Sequence, residues 1–170
     1  MDLLAFEPSE MYYAQPLDPR AEELIEKASD HYGEPEAESH LQSALEIEPD
    51  HLEVFVALYR YYFYSHRYPE ALSIAVDVLR KVTERLNFPK NWQDVTLLDV
   101  QTHMESTPEL VRFYLHTLKG AGYLLLRLNE PERGLERLDK VAQLDPKDRI
   151  GAKALADVAR EALLNDAAKH

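Results

Sequence analysis

The sequence predicts an all-α fold built from repeated helix pairs, and three observations predict it. A stretch of thirteen residues recurs as Ala37 to Pro49 (AESHLQSALEIEP), as Gly134 to Pro146 (GLERLDKVAQLDP) and, without the closing proline, as Ala71 to Thr83 (ALSIAVDVLRKVT). Each copy opens on a small residue and then carries apolar residues at helical rather than strand spacing. Prolines fall where helix ends tolerate them: Pro35, Pro69, Pro108 and Pro131 lie just inside predicted starts, and Pro49 and Pro146 lie just past predicted ends. Sustained apolar and polar alternation is absent, and even the aromatic run Tyr59 to Tyr64 (YRYYFY) sits inside a helical period.

A helix pair cannot bury its apolar stripe alone, so recurrence at a fixed period implies neighbours that stack into one continuous core. Counting back 34 residues from each copy gives units near 18 to 51, 52 to 85 and 115 to 148. The chain is therefore divided into an N-terminal arm (1 to 17), two helix pairs (18 to 86), an insert (87 to 107), a third pair (108 to 147) and a closing helix (148 to 170).

The arm carries Leu3, Leu4, Phe6, Met11, Tyr12 and Tyr13 among its acids and prolines, more large apolar groups than disordered tails keep. It is expected to cover the exposed end of the first pair, the alternative being the protein's own groove or a dimer partner. Gly33 is placed to end the first helix in a left-handed conformation. In the insert, Trp92, Val95, Leu97, Leu98, Val100 and Met104 predict a short amphipathic helix capped by Asp94, read as a packed connector rather than a lid. Thr107 and Asn129 are the expected N-caps of the two helices that follow. In the last segment Ile150, Ala154, Leu155, Val158 and Ala162 form the stripe expected to face the preceding pair, as the capping helix of a short array requires.

These residues resemble the tetratricopeptide repeat. The resemblance rests on Leu24, Ala28, Ala37, Leu41, Ala44 and Pro49 in the first unit, and on Phe55, Leu58, Tyr62, Tyr68, Ala71 and Val78 in the second. In the third it rests on Leu118, Gly122, Leu125, Leu128, Gly134, Leu138, Val141 and Pro146. The second unit departs from the pattern at Tyr59, which stands where Gly or Ala is usual. The likeness implies a small bacterial protein with three repeats and a C-terminal capping helix, folded as a right-handed superhelix of antiparallel helix pairs. It further implies that the first helices line a concave surface. Carried over by position, that surface takes Glu22 and Glu26 from the first unit, Val56, Arg60, Phe63 and Tyr64 from the second, and His116, Lys119, Tyr123 and Arg127 from the third. The chain as a whole is also similar to small tetratricopeptide proteins encoded beside nitrogen-fixation genes.

Composition excludes several function classes. A net charge of −12 over 170 residues opposes nucleic acid and anionic membranes as partners, because both interactions rest on clustered Lys and Arg. No apolar stretch approaches the ~20 residues that span a bilayer, and the start MDLLAFEP does not read as a signal peptide. The cytoplasm is the default compartment. With no cysteine there is no disulfide and no thiolate chemistry. The seven histidines make no His-Glu-x-x-His pair, and five glycines make no phosphate loop. No cofactor, metal or catalytic residue is expected, and the chain is read as a non-enzyme.

The expected groove is acidic at one end, aromatic in its middle and basic at the other end, which suits an extended or helical segment of a client protein. Glu22 and Glu26 would repel a C-terminal carboxylate, so a carboxylate clamp is not expected despite Lys119. The function read from the sequence is an adaptor or assembly chaperone that binds such a client. Its alternatives are a dimeric secretion-type chaperone that self-associates through the arm, and a self-assembling structural protein.

Overall fold

A computed structural model describes residues 15 to 170. It is all-helical, with no strand among those residues: α1 (Pro19–Asp30), α2 (Pro35–Ile47), α3 (Leu52–Tyr64), α4 (Tyr68–Leu86), α5 (Leu97–Met104), α6 (Pro108–Arg127), α7 (Pro131–Leu144) and α8 (Ala152–Ala168). A 3₁₀ turn, Trp92–Asp94, precedes α5. The chain forms two compact units, one through Val78 and one from Leu79 to His170, with α4 running from the first into the second. The arm residues Leu3, Leu4, Phe6, Met11, Tyr12 and Tyr13 lie outside the described residues.

In the N-terminal unit α1 packs on α2, and small residues let the two axes approach: Ala21 and Ala28 on α1, Ala37 and Ala44 beside Leu41 on α2, all buried. Asp18 caps α1 by accepting from the Arg20 amide at 2.9 Å. Pro19, Pro35, Pro108 and Pro131 each occupy a first helical position, where no amide is needed. Gly33 has φ +103° and lies in the α1–α2 turn. His51 caps α3 through Nδ1, which accepts from the Glu53 amide at 3.3 Å, while Nε2 donates to the Gln15 carbonyl at 2.9 Å. The Asp18 amide donates to Glu48 at 3.1 Å, so the incoming chain is stitched to the α2–α3 junction. Nine of the thirteen residues of α3 are buried, including the whole ring of Tyr59, which stacks on Phe63 at 5.8 Å. α3 is therefore the inner helix of this unit.

In the C-terminal unit α6 is the inner helix and packs against α5 and α7, and α7 packs against α8. The core is Tyr114, Leu118, Leu124 and Leu125 of α6, Leu138, Val141 and Leu144 of α7, and Ala152 and Ala156 of α8. Gly122 lies against Gly134 and Leu138, and Gly134 against Gly122 and Leu126. As one position rises on α6 its neighbour falls on α7, which fixes the pair as antiparallel.

The recurring sequence gives recurring backbone. The Glu48 amide caps α2 on Ala44 with φ −127° and ψ 72°, and the Asp145 amide, 97 residues on, caps α7 on Val141 with φ −130° and ψ 72°. The turns into α4 and α7 repeat at an offset of 63 residues. Arg67 N–H donates to Tyr62 O and Glu130 N–H to Leu125 O, while Ala71 N–H donates to Arg67 O and Gly134 N–H to Glu130 O. His66 and Asn129, at that same offset of 63, are both left-handed with φ 57° and 61°.

Three local expectations are corrected, and a fourth, Thr107, holds in position without a side-chain cap bond. Asp94 does not cap the insert helix: Thr96 does, and with Asp99 it forms a reciprocal capping box. Asn129 does not cap α7, because its left-handed backbone terminates α6 and leaves Glu130 at the cap position. Thr107 holds the cap position of α6, but its hydroxyl turns back to the His103 carbonyl at 3.3 Å. The stripe of α8 is rotated: Gly151 turns the chain at φ +78°, Ala152 and Ala156 meet the core, and Ala154, Val158 and Ala162 face outward.

The insert packs on its own unit. Phe88 is buried edge-on to the rings of His103 at 5.0 Å and Tyr114 at 5.1 Å. Arg137 of α7 lies 5.0 Å over the Trp92 ring, and Lys140 donates to the Gln93 carbonyl at 2.6 Å.

Candidate functional site

On the N-terminal unit, α1 and α3 touch, which brings the sequence-predicted Glu22 and Glu26 beside the helix that carries Val56, Arg60, Phe63 and Tyr64. Both α1 glutamates are exposed. Burial pushes the Glu53 carboxyl up, His51 pulls it the other way, and the charge of Glu22 adds to the rise. Val56 is only 3% exposed and belongs to the packing, whereas Arg60 and Phe63 are half-buried and Tyr64 is 55% exposed. Phe63 meets Tyr64 edge-on at 5.7 Å and Tyr68 at 6.0 Å, so the exposed aromatic surface rests on a fixed cluster.

On the C-terminal unit, His116, Lys119, Tyr123 and Arg127 recur at three or four residues along α6 and share one face. Arg127 is exposed and Tyr123 half-buried. Lys119 is 8% exposed, and its ammonium donates to the Ile150 carbonyl at 2.6 Å, pinning the α7–α8 loop to α6. Burial lowers its pKa against the opposing pull of Asp148. Lys119 is thus a structural tie in this fold, and the sequence could not show that the carbonyl of Ile150 would meet it.

Burial pushes the His116 imidazole down to about 4, with Lys119 adding to the effect and Asp145 opposing it. A base held neutral in the fold binds fewer protons than the unfolded chain between pH 6.5 and about 4, so stability falls as pH falls through that window. From pH 7 to pH 5 the contribution of His116 is a loss of about 2 kcal/mol. Urea unfolding of wild type and His116→Gln at both values checks this: the variant should lose less stability on acidification, and equal losses would remove His116 as the cause.

Sequence reasoning missed three cavities. One, of about 610 Å³, lies between the α1–α2 turn and the end of α3 and is lined by Tyr32, Glu34, Glu38, Tyr61, Tyr64 and Arg67 among others. A second, of about 640 Å³, lies beside Trp92 and the exposed side of α7. A third, of about 410 Å³, is mostly apolar and lies between α5, the start of α6 and the end of α7. YRYYFY signalled the first in part, but Tyr32 and Glu38 come from a different helix pair segment and had no local signature. Among the described residues no group of three or more His, Asp or Glu is placed to hold a metal, and no helix is long and apolar enough to cross a membrane.

No model of a known protein family matches the chain, and no solved structure matches it. The chain is 42% identical over 161 residues to a protein of Azotobacter chroococcum mcd 1 described as an uncharacterized 19.8 kDa protein in the nifW 5′ region. The match covers 95% of this chain and 90% of that protein. Across nearly the full length of both, this chain therefore belongs to the family of the Azotobacter nifW 5′-region protein.

Proposed function

We propose that the chain is a tetratricopeptide-type scaffold that binds a segment of a client protein, acting as an adaptor or assembly chaperone and not as an enzyme. The observation that carries this reading is the recurrence of backbone with sequence: the same helix cap at an offset of 97 residues and the same inter-helix turn at an offset of 63. Such recurrence is what an array of stacked helix pairs requires, and arrays of that kind use the faces of their inner helices to bind extended partners. The half-buried Arg60 and Phe63, with Tyr64 beside them, supply the residue types that most often dominate interface energy. The position of the relative's gene in the nifW 5′ region supports a client drawn from nitrogen-fixing metabolism.

The test is a quantitative pull-down from cells of a nitrogen-fixing host, grown with and without fixed nitrogen, using wild type and an Arg60→Ala, Phe63→Ala variant of native helix content. A client that binds wild type, is enriched under nitrogen-fixing growth and is lost with the variant is the expected result. The same proteins on both would overturn the assignment of this face.

A further inference from the structure

Charge is divided unevenly along the chain. Residues 1 to 78 hold seventeen Asp and Glu against four Lys and Arg, whereas residues 79 to 170 hold fourteen against fifteen. The N-terminal part therefore carries −13 and the remainder +1, and any partner of that unit meets a field that favours cations.

Within this unit the 610 Å³ cavity between the α1–α2 turn and the end of α3 combines aromatic faces with carboxylates. Its volume falls in the range of ordinary ligand pockets, about 300–1,000 Å³. Tyr32 packs on the buried ring of Tyr61, with centroids 6.2 Å apart and planes tilted by 32°, which holds the exposed Tyr32 ring in place at the cavity wall. Tyr32 is 44% and Tyr64 55% exposed, a large allowance for rings that line a pocket. Gly33, at φ +103°, turns the chain at the mouth, and no atom lies within 4 Å of where its Cβ would be. The single cation that lines the cavity, Arg67, is matched by Glu38 at 2.5 Å and, outside the lining, by Glu70 at 3.0 Å, and Glu34, which lies 3.3 Å from His31, adds a further carboxylate. The local balance is thus negative even with Arg67 in place.

Beside the cavity the fold carries an example of the arrangement that it would recognise. Arg67 lies 4.8 Å over the ring of Tyr62, and Glu38 accepts from both Arg67 and the Tyr62 hydroxyl, the latter at 3.0 Å. A guanidinium held between a tyrosine face and a carboxylate is the arrangement that an incoming cation would repeat at the neighbouring rings.

We infer that this notch is a docking site for a cationic side chain, arginine or lysine, presented by a partner protein. The exposed faces of Tyr32 and Tyr64 attract the cation through their quadrupole, Glu34 orients it, and the surrounding field draws basic segments in. Tyr32, Glu34 and Glu38 are not part of the face read from the sequence, so the inference goes beyond that reading and can stand or fall separately.

The test is a titration of the full-length ¹⁵N-labelled protein with three capped tripeptides that carry arginine, proline or alanine between glycines, followed by amide chemical shifts. The arginine peptide should give saturable shifts at Gly33, Glu34 and Ser65. Tyr32→Ala should weaken it about fivefold, the worth of one such contact, and Tyr64→Phe, which keeps the ring, should leave it unchanged. Glu34→Gln, at an exposed site, should weaken it without risk to the fold. Shifts that spread over the acidic residues without saturating, or that Tyr32→Ala does not alter, overturn the notch as a site. Equal shifts with the proline peptide overturn the cationic assignment. The pull-down with Arg60→Ala, Phe63→Ala leaves Tyr32 and Glu34 intact, so failure there and failure here are read independently.

Discussion

Replacement of Phe88 by Ala should cost about 3–4 kcal/mol and release the insert from α6 while α6 and α7 stay packed. Phe88 follows Asn87, whose φ of +51° ends α4, and its amide donates to the Thr83 carbonyl at 3.1 Å, so the ring enters the core at a fixed angle. There it meets His103 of α5 on one side and Tyr114 of α6 on the other, both edge-on at about 5 Å. Each such aromatic pair adds about 0.5–1.5 kcal/mol to area burial, and the three rings are the means by which an eight-residue helix, too short to be stable alone, is held. Burial pushes the Tyr114 phenol up to about 12, as a ring enclosed on this side should be. Urea unfolding gives the stability, and hydrogen exchange gives the location. Amides of α5 should exchange faster than those of α6 in the variant, whereas equal acceleration in both would mean that the insert is an inseparable part of the core. Phe88→Leu, which keeps most of the volume, should lose less than half as much.

Much of this architecture was legible because its signals are local. Proline at a first helical position and a small residue at the start of each thirteen-residue copy state where chain direction and helix contact must occur, and Pro35, Pro108, Pro131, Ala37 and Gly134 all stand there. Thr96 and Asp99 carried an equally local signal, the spacing of a capping box, and the choice of Asp94 overlooked it. Of the expected α8 stripe, Ile150 is buried and Leu155 half-buried, whereas Ala154, Val158 and Ala162 are exposed. Spacing placed Val158 with Ala154 on the inward face, but the face of α8 that meets α7 is the one carrying Ala152 and Ala156, which are buried while Val158 is 65% exposed. Candidate binding residues were legible as a helix face and not as an accessible surface. Periodicity places His116, Lys119, Tyr123 and Arg127 together, but whether Lys119 reaches solvent or the carbonyl of Ile150 depends on a loop 31 residues away.

Gly134→Ala should destabilise the C-terminal unit by about 2 kcal/mol, opposite in sign to the same change in an exposed helix. In a helix open to solvent, Ala gains about 1 kcal/mol over Gly by propensity alone. Here a Cβ on residue 134 would lie 2.7 Å from the Gly122 carbonyl oxygen and 3.0 Å from Leu126 Cδ2. The first of these is backbone, so relief requires α6 and α7 to separate rather than a side chain to turn. Gly122→Ala meets its nearest atoms at 3.0 Å, one of them the movable Leu138 side chain, and should cost less. The corresponding position 63 residues earlier is Ala71, whose turn has the same hydrogen bonds, so the local backbone accepts alanine and the penalty belongs to the α6–α7 contact alone. Separation of that pair would also displace Lys119, three residues before Gly122, from the Ile150 carbonyl and shift the whole His116 to Arg127 face against the α7–α8 loop. Paired measurements of unfolding free energy and of α8 hydrogen exchange test both steps. A gain in stability of the ordinary propensity size would show that the helices do not approach this closely. A loss confined to α7, with α8 protection unchanged, would show that the face of α6 is positioned by something other than this glycine contact.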